Sequence, residues 1–120
     1  MVLFVEDRSS TTQFELAEMY DQGERLSRNY QEAFKWYLAS AKRGYRRAQH
    51  RLGSMYARGQ GVACNYIKAY AWCEISARQK SRRACLKLRE IERYMSERQI
   101  SDAQKLARQY YSIYVEPFAN

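Results

Sequence analysis

Proline is almost missing from this chain, one residue in 120, and glycine is sparse at five. An all-β chain with many tight turns needs more of both, so their scarcity points to helices. Histidine occurs once, as His50, which leaves no second imidazole for a metal site and no paired carboxylate signature for a triad. The cysteines Cys64, Cys73 and Cys85 are odd in number and show no C-x-x-C spacing. That pattern supports neither a disulfide framework nor structural zinc, so reduced thiols in a cytoplasmic setting are expected, with Cys73 and Cys85 as small buried hydrophobes. Also lacking is any run near the roughly 20 apolar residues that span a bilayer. Met1-Val-Leu-Phe-Val5 is apolar but passes at once into Glu6 and Asp7 without a basic leader, which does not read as an export signal.

An internal repeat is present instead. When residues 14–44 are set against 50–80, ten of the 31 pairs are identical, among them Leu16/Leu52, Met19/Met55, Tyr20/Tyr56, Gly23/Gly59, Asn29/Asn65, Trp36/Trp72 and Ser40/Ser76. A period of 36 is a repeat-array signature. Leu52, Met55 and Tyr56 recur at i, i+3 and i+4, one face of a helix. Gly59 and Gly61 end that helix, and Asn65 is a good cap for the next. In the first copy Asn29-Tyr-Gln-Glu32 reads as a variant capping box. Ala69, Trp72 and Ile75 then form a second apolar stripe, so each copy is a pair of antiparallel helices. A third copy starts at Ala84, Leu88 and Ile91 and gives way to Ser96-Glu-Arg-Gln99, a capping box that opens a last helix. Its stripe of Ile100, Ala103, Ala107, Tyr110 and Tyr114 is expected to cover the open end of the stack.

The fold class expected is therefore all-α, an α-solenoid of about two and a half 36-residue repeats plus a C-terminal capping helix. Residues 1–11 form an arm, 12–44 a degenerate first repeat, 45–80 the second, and 81–120 the partial third repeat with the cap. Helices are predicted near 12–22, 30–43, 45–58, 66–78, 81–94 and 97–111, with Trp36 and Trp72 largely buried.

Ala48, Leu52, Gly53, Met55, Tyr56, Gly59, Gly61, Val62, Lys68, Ala69, Trp72 and Ala77 fall in order on a pattern that resembles the Sel1-like repeats, relatives of the tetratricopeptide fold. In the first copy, Ala17, Arg25 and Leu26 replace the first helix glycine, the second loop glycine and the valine. The ending, from Leu88 to Ala107, is similar to the tail that closes bacterial members. The resemblance implies a scaffold that recruits partners in signalling, quality control or secretion-related assemblies and has no chemistry of its own.

No chemistry is legible in the residues either. Gly59-Gln-Gly61 lacks the third glycine and the following Lys-Ser/Thr of a phosphate loop, and most tyrosines sit at repeat-matched positions that assign them to the core. No catalytic residue, metal ligand or cofactor is expected. Charge is the exception. Residues 42–89 hold 13 Lys/Arg against one Asp/Glu, whereas residues 1–41 hold four against seven. Lys42/Arg78, Arg46/Arg82, Arg47/Arg83 and Arg51/Lys87 are each 36 apart, so stacking should set each pair on one edge, about 10 Å apart. With Arg58 on the inner face, these residues are the expected contact surface for an acidic protein partner. A nucleic-acid-binding module using the same ridge is the alternative, disfavoured because no base-reading motif is present. Self-association as a homodimer, or a partner docked at the N-terminal face, is expected to use the apolar arm Val2, Leu3, Phe4 and Val5.

Overall fold

The computed structural model describes residues 9–118. They form six α-helices and, among the described residues, no strand: α1 (Ser10–Gln22), α2 (Tyr30–Ala41), α3 (Arg46–Arg58), α4 (Tyr66–Arg78), α5 (Arg82–Glu92) and α6 (Glu97–Tyr114), with a 3-10 turn at Glu116–Phe118. The apolar arm Val2–Val5 lies outside the described residues.

Local chemistry sets most of these boundaries. Ser9, Asn29, Asn65, Ser81 and Ser96 each accept a bond from the backbone N–H three residues on, filling orphan donors at a helix start. At Ser96 the return bond from its own N–H to Gln99 Oε1, 2.8 Å, completes a capping box. Asn29 makes no such return bond to Glu32. Its N–H instead donates to the Tyr20 carbonyl at 3.0 Å, as the Asn65 N–H does to Tyr56 at 3.0 Å, so in both copies this bond closes the loop. Gly23 and Gly59 close α1 and α3 in the left-handed region.

The two helices of each copy are pinned by a bond that repeats with the sequence. Ser40 Oγ donates to the Ser10 carbonyl and Ser76 Oγ to the Arg46 carbonyl, each at 2.7 Å. Close approach is secured by small residues. Ala17, Ala33, Ala48 and Ala69 are wholly buried, and a side chain at Gly53 would collide with Cys73 Sγ. Gly61 is constrained twice, by a φ of +72° and by the Tyr30 carbonyl, which stands where a Cβ would be. Arg25, its counterpart in the first copy, has no positive φ.

Trp72 is 2% exposed and Trp36 packs against the core while keeping a partly exposed edge; Tyr37 takes the wholly buried place in α2. Two expectations need correction. Cys85 is exposed and not a core residue, because it projects from the outer side of α5. The last helix does not cover the end of the stack: α6 packs along α4, sealing Trp72 beneath Tyr110 and Tyr114 at centroid distances of 4.7 and 5.3 Å. Ala103 and Ala107 let it approach closely, both wholly buried.

Candidate functional site

The expected ridge divides into separate places. Arg46, Arg47, Arg51, Arg82 and Arg83 converge with His50, Lys80 and Ser81 on a groove of about 380 Å³ at the N-terminal ends of α3 and α5. Among the described residues no carboxylate lines it. Neither helix has an acid in its first turn, and α3 has no side-chain cap, so both helix dipoles add positive potential to the same groove. Arg46 is braced by a bond from Nη1 to the Gln79 carbonyl at 2.8 Å. The Arg47 guanidinium lies over the Phe14 ring, 4.7 Å from its centroid. Arg82 and Arg83 are exposed, and neither forms a salt bridge among the described residues.

The remaining residues are elsewhere. Lys42 and Arg78 sit at the far ends of α2 and α4, outside the groove, and Arg78 is engaged by Glu74 at 3.5 Å and by the Tyr111 ring. Lys87 is 8% exposed and pairs with Glu90 at 3.4 Å, so it is a cavity wall and not part of an exposed ridge. Repeat spacing places residues on equivalent turns but does not say on which side of the stack those turns face. Lys80 was not among the expected residues. It enters the groove because the turn after α4 holds it at a φ of +69°.

A second and larger hollow, about 750 Å³, opens on the concave side between α1, α3 and α5. Glu18 and Asp21 of α1, with Glu24 and Arg28 from the loop after it, line one side, while Arg58, Arg83, Lys87 and Glu90 line it from α3 and α5. The α1 carboxylates are held in place. The buried Tyr37 hydroxyl lies 3.0 Å from Glu18 Oε2 and 2.9 Å from Asp21 Oδ2, and Arg51 pairs with Glu18 at 3.3 Å. Burial, reinforced by those two carboxylates, pushes the Tyr37 hydroxyl well above the ordinary tyrosine range. His50 borders both hollows. Partial burial, then the surrounding Arg51, Arg83, Lys87 and Arg58, hold its imidazole down at about 4, so it is neutral near pH 7. Burial likewise pushes the Cys73 thiol up to about 12, which makes it an unreactive packing residue.

Among the described residues no group of three or more His, Cys, Asp or Glu could hold a metal ion, and no helix is long and apolar enough to cross a membrane. A search of curated proteins finds no match. Solved structures do match. A protective antigen of uropathogenic Escherichia coli displaying an SLR fold superposes with a TM-score of 0.87 at 27% identity, over 92% of this chain and 24% of that one. A Sel1 repeat protein from Oxalobacter formigenes gives 0.66 at 32% identity, over 68% of this chain and 61% of that one. This chain thus spans about a quarter and about three fifths of the two lengths. The Sel1 repeat model matches twice, at residues 10–45 and 46–81, which is more than half of the chain. With its capped helix pairs and repeated serine bonds, the chain belongs to the Sel1 repeat family, an α-solenoid class that generally serves as a non-catalytic protein-interaction scaffold.

Proposed function

We propose that this chain is an adaptor that grips an acidic segment of a protein partner in the groove between the N-terminal ends of α3 and α5, without chemistry of its own. One observation carries the reading. Five arginines and Lys80 surround a groove that, among the described residues, contains no carboxylate, an arrangement that costs self-repulsion unless an anionic partner relieves it. Arginine predominates, and its planar fork suits bidentate contact with carboxylates. The free thiols Cys64, Cys73 and Cys85 suit work in the reducing cytoplasm.

The test is charge reversal at Arg46 and Arg82, both exposed and both outside the concave cavity. Binding of a labelled peptide of consecutive glutamates should weaken at least about ten-fold in the Arg46→Glu, Arg82→Glu double variant, roughly 1.4 kcal/mol. It should also fall steeply as salt shortens the screening length. Unchanged affinity at low salt in a folded double variant would refute the groove. Tighter binding of a single-stranded oligonucleotide than of the peptide at equal charge would transfer the groove to nucleic acid.

A further inference from the structure

The concave cavity has walls of opposite charge that meet in one bridge, Arg51 of α3 to Glu18 of α1 at 3.3 Å, and otherwise leave charges unpaired. On α1, half-buried Asp21 accepts from the neutral Tyr37 hydroxyl at 2.9 Å, yet neither it nor exposed Glu24 forms a salt bridge among the described residues. Across the cavity, Arg58 and Arg83 form none either, and Lys87 is nine-tenths buried against a single exposed partner, Glu90. A half-buried carboxylate without a cation, Asp21, is costly to leave unpaired, and the exposed Arg58 and Arg83 are cations free to take an anionic group. The carboxylates are also ordered in advance. Tyr37 fixes Asp21 and Glu18, which lowers the entropy lost when a ligand binds there. Leu86, 67% exposed, gives an apolar footing on the basic wall of the same cavity.

We propose that this cavity is a second binding site, which takes an extended segment of a protein partner carrying a basic residue at one end and an acidic residue at the other. The basic residue faces Asp21 of α1 and Glu24 in the loop after it; the acidic one faces Arg83 and Lys87 of α5. The walls are two helix steps apart, roughly 20 Å at 8–10 Å per packed helix. An extended chain rises about 3.3 Å per residue, so the two charges should lie about six positions apart. The proposal rests on the chain being a protein-interaction module, and it extends that reading from the outer groove to the inner face. The cavity would then fix the direction in which a partner segment lies, which a groove of one charge sign cannot do.

Labelled eight-residue peptides of one composition test it by fluorescence anisotropy. One pair has an arginine and a glutamate six positions apart, in either chain order; the control has them adjacent at the centre. One order of the separated pair should bind at least five-fold tighter than the control. The Asp21→Asn, Glu24→Gln variant should lose that preference while keeping its affinity for the polyglutamate peptide. The Arg46→Glu, Arg82→Glu variant should do the reverse, so failure of the outer groove and failure of the cavity are distinguishable. Because Asp21 touches Tyr37, Glu24→Arg alone, at an exposed position, serves as a second variant whose fold is not at risk. Equal affinity of separated and adjacent peptides, or a preference that survives these changes, would overturn the proposal.

Discussion

Replacing Trp72 by alanine should be far more damaging than the same change at Trp36, although the two occupy the same place in the repeat. Trp72 is 2% exposed and fills the seam between α4 and α6, where Tyr110 and Tyr114 lie against its ring. Tryptophan-to-alanine changes in a core cost about 3–5 kcal/mol. Two aromatic contacts, each worth about 0.5–1.5 kcal/mol beyond burial, place this one at the top of the range, about 5 kcal/mol. Against a total stability of about 5–15 kcal/mol for a domain, that is a third to all of it. Among the described residues no further helix lies along α2 and Trp36 as α6 lies along α4, and the Trp36 Nε1 is buried there without a hydrogen-bond partner. Removing that indole also removes an unsatisfied donor, a penalty of about 1–3 kcal/mol, so Trp36→Ala should cost only about 2 kcal/mol. Urea unfolding followed by far-ultraviolet circular dichroism measures both. If Trp72→Ala does not fold, Trp72→Phe and Trp36→Phe should show the same ranking at smaller cost. Equal losses at the two positions, or a greater loss at Trp36, would refute the argument that the closing helix makes the repeats unequal.

Stability should fall with acidification through His50, whose folded value of about 4 lies below the ordinary 6.5. Between those values the unfolded chain binds a proton that the folded chain does not, so stability is lost as pH drops from about 6.5 towards 4. One group contributes at most about 1.4 kcal/mol per pH unit, and solvent screening of a half-exposed imidazole lowers that; urea unfolding of wild type and His50→Gln at pH 7 and pH 5 should show a shallower fall in the variant. Gly61→Ala should destabilise by at least about 1 kcal/mol, since alanine at positive φ is strained and its methyl would meet the Tyr30 carbonyl. Gly59→Ala, also at positive φ but with the nearest atom 3.6 Å from the added methyl, should cost less, and thermal unfolding of the two variants checks the contrast.

The helices were legible because their signals are local. Asn29, Asn65 and Ser96 cap the helices they were expected to start, and the 36-residue period carries one packing solution from copy to copy, down to the Ser40 and Ser76 bonds. The charge asymmetry was legible too, since 13 basic residues against one acidic in residues 42–89 is a matter of counting. The facing of each charge was not. Residues 36 apart share a helical turn, but whether that turn meets solvent depends on what packs beside it. Lys87 is buried on the concave side while its partner by spacing, Arg51, bridges to Glu18. Lys42 and Arg78 leave the ridge because their helices end there, and Lys80 joins it through a turn conformation that lysine rarely adopts. The course of α6 likewise came from tertiary structure alone. Its apolar stripe required a partner, and only the packed helices decided that the partner is the Trp72 face of α4 and not the open side of α5, because a stripe specifies what must be covered and not by which neighbour.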